Sequence, residues 1–159
     1  MARTIRSCLP FRRSLPRALI PGLVVPESFH AIVNAHFRIA PPKNQPLIIG
    51  VINGMTEWLF AYRDRLSVTI SSADRLMDQP RHELAETMWR EVASLADLPA
   101  APMPRWQIVR ERRATFAATP AEAARRPPAE TRYANLVLAG DWTDTGSAGD
   151  HRRIHPLRH

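Results

Sequence analysis

Leu136-Val137-Leu138-Ala139-Gly140-Asp141-Trp142-Thr143-Asp144-Thr145-Gly146 is the stretch from which the rest of the chain can be read. Leu136 to Ala139 are apolar at every position, so neither face of the extended chain suits water. That is the pattern of a strand buried inside a parallel sheet. Gly140, without a Cβ, lets a ligand come close to the backbone where the strand ends. Asp141 is placed to accept hydrogen bonds from ligand hydroxyls. Thr143, Thr145 and Gly146 suit a polar, tightly turning loop. Ligands of open α/β sheets bind outside the carboxyl ends of strands, so the pattern predicts a cofactor edge. The same residues also fit a buried strand that leaves a core through an ordinary Gly-Asp turn.

The elements upstream are of another kind. Phe29 to Ile39 alternates cleanly, with Phe29, Ala31, Val33, Ala35 and Phe37 on one face. His30, Ile32, Asn34, His36 and Arg38 share the other, which predicts a half-buried strand. Leu47 to Ile52 and Glu57 to Tyr62 flank Asn53-Gly54, a strong hairpin signal. A turn at Arg63-Asp64-Arg65 leads into Leu66 to Ser71, completing an antiparallel meander. Asp78 as N-cap and Pro80 in the first turn open a helix through about Asp97. Its apolar stripe is Leu84, Met88, Val92 and Leu95, broadened by Ala85 and Trp89. Pro99, Pro102 and Pro104 close it, and Arg105 to Arg112 form a further strand with Trp106, Ile108 and Arg110 on one side. Residues 117–132, rich in alanine, arginine and proline, read as a surface connection. The fold class is therefore α+β, an antiparallel sheet with one main helix, joined to a terminal strand of α/β character that lacks parallel neighbours.

The net charge of +7 invites a nucleic-acid reading, and its location argues against one. Arg3, Arg6, Arg12, Arg13 and Arg17 stand in an acid-free segment of 17 residues, and Arg152, Arg153 and Arg158 lie near the other end. What remains in between is neutral, whereas a nucleic-acid binder carries its basic stripe on the folded surface. Residues 1–17 have no periodicity and are expected to be poorly ordered. Pro10 and Pro16 interrupt them, and no signal-peptide core follows Arg6. No apolar run is long enough to cross a bilayer. Cys8, the single cysteine, excludes an internal disulfide and fits a reducing, cytoplasmic compartment.

Two histidines invite a metal reading. His30 and His36 share a strand face, but six residues at about 3.3 Å each place them about 20 Å apart, too far to share an ion. Arg110, Glu111, Arg112 and Arg113 read as a solvated face, or as a pyrophosphate contact through bidentate guanidinium groups. Neither a nucleophile elbow nor a P-loop occurs in the sequence.

The motif "NLVLAGDWTDTG" resembles the C-terminal flavin-binding motif of the FAD-dependent amine oxidase and phytoene desaturase superfamily. Within it the wording is similar to the squalene-associated desaturases, the bacterial hydroxysqualene dehydroxylases. "PESFHAIVNAHFRI", "EWLFAYRDRLSVTIS" and "WQIVRERRATFAATP" extend the likeness over about residues 18 to 146. The resemblance implies a C-terminal fragment of a two-domain enzyme, lacking the N-terminal dinucleotide-binding half. Residues 18–115 would belong to the substrate domain, 116–134 to a connection, and 135–146 to the FAD domain.

It further implies FAD as cofactor, with Asp141 on its ribityl or pyrophosphate portion, Gly140 allowing close approach, and Trp142 and Thr143 edging the ring system. No catalytic residue is assigned. The implied reaction is reductive removal of a hydroxyl group in squalene and hopanoid biosynthesis. A polyisoprenoid would lie against apolar walls offered by strands 29–39 and 57–71. A complementing N-terminal FAD-domain chain is an implied partner, peripheral membrane contact is compatible, and the isolated chain is expected neither to retain FAD nor to be active. The alternative from composition alone is a small non-catalytic α+β module that binds a protein partner or an anionic surface.

Residues 147–159 depart from the family pattern and read as a frame-shifted tail. One synonymous encoding from Gly146 onward, read a base later, gives Gly-Leu-Pro-Ala-Thr-Ile-Glu-Gly-Ser-Ile-Arg-Ser-Gly. That string matches the family's continuation at every position but one.

Overall fold

A computed structural model describes residues 20–144, together with the backbone of Ser7–Leu9. Most of the arginine-rich N-terminus and the whole of the 147–159 tail therefore lie outside the described residues. In chain order the elements are β1 (Ser7–Leu9), β2 (Phe29–Phe37), β3 (Ile48–Gly50), β4 (Trp58–Ala61), β5 (Leu66–Ile70), α1 (Arg81–Leu95), β6 (Trp106–Phe116), α2 (Pro120–Ala123) and β7 (Leu136–Leu138). A 3-10 turn over Ala73–Leu76 precedes α1. The chain divides into two compact units, one over residues 30–114 and one formed by residues 1–29 with 115–159. No helix among the described residues is long and apolar enough to cross a membrane.

The 30–114 unit is the antiparallel sheet with its helix. Strand order is β3-β4-β5-β2-β6, and β2 pairs with β5 in a register that sets His36 opposite Ser67 and Phe37 opposite Leu66. The alternation of β2 appears directly in its burial: Ala31, Val33, Ala35 and Phe37 are buried, and the residues between them are half-buried. Leu59, Leu66, Val68 and Ile70 continue the same apolar face. Leu84, Ala85, Met88, Trp89, Val92 and Ala93 of α1 close over it, with the Phe37 and Trp89 rings 5.1 Å apart. Twenty buried apolar residues form this one cluster. Each large side chain in it stabilises the fold by about 1.5–3 kcal/mol relative to exposure.

Three local expectations are corrected. Asp78 does not cap α1: the N-cap is Pro80, without a side-chain bond, and the Asp78 carboxylate pairs with Arg112 at 3.0 Å. Leu95 is exposed at the last turn, and Ala93 and Ala96 are buried there instead. The β3–β4 hairpin is not closed by a two-residue turn at Asn53-Gly54. Gly50 pairs with Trp58, and Asn53 takes a left-handed conformation (φ 64°) within a longer loop. Glu91 of α1 holds that loop by accepting hydrogen bonds from the amides of Met55 (2.9 Å) and Thr56 (2.7 Å). A short-range turn signal cannot register a carboxylate arriving from 35 residues away.

The other unit is built around β7. Ser7–Leu9 pair with Leu136–Leu138 in parallel, so the terminal strand has one parallel neighbour after all. It also gives three residues of the N-terminal segment an extended structure. On the other side the residues before the strand fold back along it. Glu130 bridges to Val137, the Leu138 amide donates to the Ala129 carbonyl at 2.7 Å, and the Asp144 amide donates to the Pro127 carbonyl at 2.7 Å. Part of the 117–132 connection is thus structural. The apolar cluster here is small: Ile20, Val25, Leu138 and Trp142, with Leu23 and Leu136 against them.

Candidate functional site

The turn after β7 is set by hydrogen bonds within four residues. The Thr143 amide donates to the Gly140 carbonyl at 3.2 Å, and the Thr143 hydroxyl donates to the same oxygen at 2.7 Å. Gly140 is at φ 153°, and a Cβ there would lie 2.3 Å from Trp142 Nε1. Glycine is therefore required, and what approaches its backbone in this chain is the Trp142 indole. Trp142 has no exposed surface, and Thr143 is also buried. Of the four expected cofactor contacts, the turn thus leaves Gly140 exposed and Asp141 half-buried, with Trp142 and Thr143 beneath them. The Asp141 carboxylate has no partner among the described residues, while its backbone carbonyl is held by Arg126 at 3.3 Å.

Arg126 is one of two arginines whose role composition does not reveal. Its guanidinium reaches the carbonyls of Asp141 and Thr143 and lies 5.1 Å from the Phe116 ring centroid. Arg125, its neighbour, bonds the Val25 carbonyl at 3.2 Å and the Glu27 carboxylate at 3.0 Å. Both leave the C-terminal end of α2, whose start is fixed by Thr119: its hydroxyl accepts the Glu122 amide at 3.3 Å, with Pro120 in the first turn. Thr119-Pro120-Ala121-Glu122 is the sequence signature of a capping box, and it was there to be read. Glu122, however, does not turn back to the cap. Its carboxylate accepts the Glu27 amide at 2.7 Å, and this bond chiefly holds its pKa below the usual glutamate value. Beside Leu138 the same unit carries an open cleft of about 260 Å³, lined by Leu23, Pro127 and Thr131 among others.

In the 30–114 unit the sequence placed apolar walls for a substrate on strands 29–39 and 57–71. The structure closes those faces with α1. The opposite sheet face is largely polar: Thr69 donates to Asn34 at 2.7 Å, and His36 Nδ1 meets the Ser67 hydroxyl at 2.9 Å. Burial, and secondarily the Arg65 charge, push the His36 pKa down. His30 pairs with Asp74 at 3.0 Å, and among the described residues no group of metal-ligating side chains comes together. Arg110 donates to the Gln79 carbonyl and Arg112 pairs with Asp78, so both side chains tie β6 to the segment leading into α1. A second cleft of about 360 Å³ lies at one end of this sheet, among His36, Arg38, Arg65, Arg105 and Trp106.

Among the described residues, then, one unit is an antiparallel sheet closed by a helix, and the other carries a terminal strand whose Gly-Asp turn leaves the Gly140 backbone exposed and the Asp141 carboxylate without a partner. The sequence profile described as flavin containing amine oxidoreductase matches residues 23–150, and the chain belongs to that family. Among curated proteins it is similar to three named hydroxysqualene dehydroxylase. That of Rhodopseudomonas palustris is 59% identical over 129 residues, 81% of this chain and 31% of the relative. That of Sinorhizobium fredii is 54% identical over 134 residues, 82% of this chain and 32% of the relative. That of Zymomonas mobilis is 42% identical over 130 residues, 82% of this chain and 31% of the relative. The chain thus spans about a third of the length of the curated relatives it matches.

Proposed function

We propose that this chain is the C-terminal portion of an FAD-dependent oxidoreductase of the hydroxysqualene dehydroxylase kind, carrying part of the substrate domain and one edge of the cofactor site. The observation that supports this most is Asp141, a half-buried carboxylate without a partner among the described residues, on a turn fixed by Thr143 and Arg126. An ionised carboxylate only accepts hydrogen bonds, so it suits the hydroxyl-rich ribityl chain of FAD and repels the pyrophosphate. Gly140 would let that chain run close to the backbone, and Trp142 would hold the glycine from below without touching the ring system. The cofactor, when bound and reduced by an external electron donor, would supply the hydride that replaces the hydroxyl group of a polyisoprenoid alcohol, the hydroxyl leaving as water, to give a hydrocarbon such as squalene. The apolar faces of β2, β4 and β5 are closed by α1. The dry cavity for that substrate would therefore be completed by the complementing, dinucleotide-binding part of the enzyme. A cytoplasmic enzyme that meets its substrate at a membrane face belongs to the same proposal.

Flavin titration tests it. The chain alone should be colourless, because its cleft beside Leu138 is smaller than the roughly 300–1,000 Å³ that encloses an ordinary ligand. It also contains no glycine-rich phosphate-binding turn. Combined with the dinucleotide-binding portion, it should form a yellow complex that, once supplied with a reductant of flavin, converts hydroxysqualene to squalene. Asp141→Ala in that complex should weaken FAD binding by roughly 10- to 100-fold, the worth of one charge-assisted hydrogen bond. Near-stoichiometric FAD on the chain alone, or unchanged affinity in Asp141→Ala, overturns the reading.

A further inference from the structure

At one end of the sheet three neighbouring strands each place an arginine. Arg38 follows β2 directly, Arg65 precedes β5, and Arg105 precedes β6. Because β2 lies between β5 and β6, the three are consecutive across the sheet, with strands about 4.8 Å apart. The Arg38 amide donates to the Arg105 carbonyl at 2.8 Å, which fixes that pair of neighbours. Like charges set side by side across strands repel. Only Asp64 offsets them within the cleft, and it is already bonded to Arg65 at 3.1 Å. Neither Arg38 nor Arg105 has a side-chain partner among the described residues.

The same sheet end continues in apolar and aromatic groups. The Ala61 amide donates to the Leu47 carbonyl, so the start of β3 lies beside the Tyr62–Arg65 turn. Leu47 is 76% exposed and Ile48 58% exposed, large values for aliphatic side chains on an ordered edge. Tyr62, 45% exposed, carries the Arg65 guanidinium 4.3 Å above its ring. Aliphatic side chains at one side, an aromatic ring with a polar tip between, and arginines alongside match the layers of a membrane surface: hydrocarbon, interface and headgroup.

We propose that this end of the 30–114 unit is a docking surface for a membrane containing anionic phospholipids, whose phosphates Arg38, Arg65 and Arg105 would bind while Leu47 and Ile48 enter the acyl boundary. Charge complementarity selects this occupant, because a protein partner would have to bring its own array of carboxylates against a face that is also aliphatic. The surface uses no residue of the cofactor turn, and its test does not depend on flavin binding.

Co-sedimentation of the full chain with vesicles is the experiment. Vesicles of phosphatidylcholine with one-third phosphatidylglycerol should bind it, and pure phosphatidylcholine vesicles should bind it at least tenfold more weakly. Arg38→Gln with Arg105→Gln should lower binding to the anionic vesicles about 25-fold, roughly fivefold for each arginine near such a surface. Leu47→Ser with Ile48→Ser should lower it as well, including at 0.5 M salt, where charge attraction is screened. Circular dichroism and melting establish that each variant is folded. Arg90→Gln, on the exposed face of α1, should bind as the parent does. Three results overturn the proposal: equal binding by the double arginine variant, an equal loss in Arg90→Gln, or a loss seen only when Arg12 and Arg13 are replaced. Binding of inorganic pyrophosphate through Arg38 and Arg105 without any binding to vesicles overturns it too.

Discussion

The two units are held together by different physics. In the 30–114 unit twenty buried apolar residues close a sheet against one helix, and side-chain hydrogen bonds only trim its edges. Around β7, the apolar cluster seen among the described residues, Ile20, Val25, Leu138 and Trp142, is accompanied by polar clamps: Arg125 on Val25, Arg126 on Asp141 and Thr143, and Glu122 on the Glu27 amide. The contrast lies in the cores: a continuous apolar one in the 30–114 unit, and in the unit around β7 a smaller cluster with backbone-directed hydrogen bonds among the described residues.

The contrast can be broken most directly by two large-to-small substitutions compared side by side. Trp142→Ala should cost about 3–5 kcal/mol and Met88→Ala about 2–5 kcal/mol. Trp142 is the largest member of the described cluster around β7, so hydrogen exchange should show amides of 136–144 losing protection while those of α1 and β5 keep theirs. Met88→Ala should instead lower the denaturant midpoint of the sheet unit without abolishing its transition. Equal protection at β7 and α1 in the Trp142 variant would erase the distinction drawn between the units.

A smaller change sharpens it. Gly140→Ala adds one methyl group 2.3 Å from the indole nitrogen of Trp142, at a φ that L side chains rarely adopt. Overpacking of this kind costs about 1–3 kcal/mol. The loss should appear at β7 as a red-shifted Trp142 emission in a variant whose other tryptophans are replaced by phenylalanine. No shift would mean that the ring has room to move.

The smallest effect expected is on pH. Burial pushes the Glu91 carboxyl up, but the amides of Met55 and Thr56 more than offset it and leave its pKa below the ordinary 4.5. The hydrogen bond with His30 chiefly does the same for Asp74. A depressed carboxylate contributes stability that is complete above its unfolded value and disappears as pH falls through its folded value. Stability of the sheet unit should therefore fall first below about 6.5, where unfolded His36 takes up a proton that burial disfavours in the fold, and decline further below about 4.5 as these carboxylates protonate. Glu91→Gln should flatten part of that decline, and an acid limb unchanged in this variant would contradict the role given to the carboxylate.

Much of the sheet unit was legible because its information is local. The alternation from Phe29 to Phe37 and the stripe through Leu84, Met88 and Val92 each state a burial pattern within one element. What escaped reading depends on residues distant in sequence: Glu91 shaping the 51–57 loop, and Ser7–Leu9 pairing with β7. In the candidate site, Gly140 stands where a Cβ would meet the Trp142 indole, a contact between side chain and backbone that the local sequence does not state. Sequence places Trp142 two residues from Gly140 without saying on which side of the backbone its ring lies. Arg125 and Arg126 were submerged in a composition that reads as solvent-facing, although the Thr-Pro-Ala-Glu signature marked an ordered start just before them.

Arg126 sets one further condition on the turn. One nitrogen of its planar guanidinium, Nη2, reaches both carbonyls, while the centre of the group lies 5.1 Å from the Phe116 ring centroid. The grip on the turn is made to the backbone of Asp141 and Thr143, and the side chain of Asp141 takes no part in it. Lysine would keep the charge and lose the flat face that lies toward the Phe116 ring. The place of the Asp141 backbone and the contacts of its carboxylate are thus set separately, the first by Arg126 and the second by whatever meets the carboxylate.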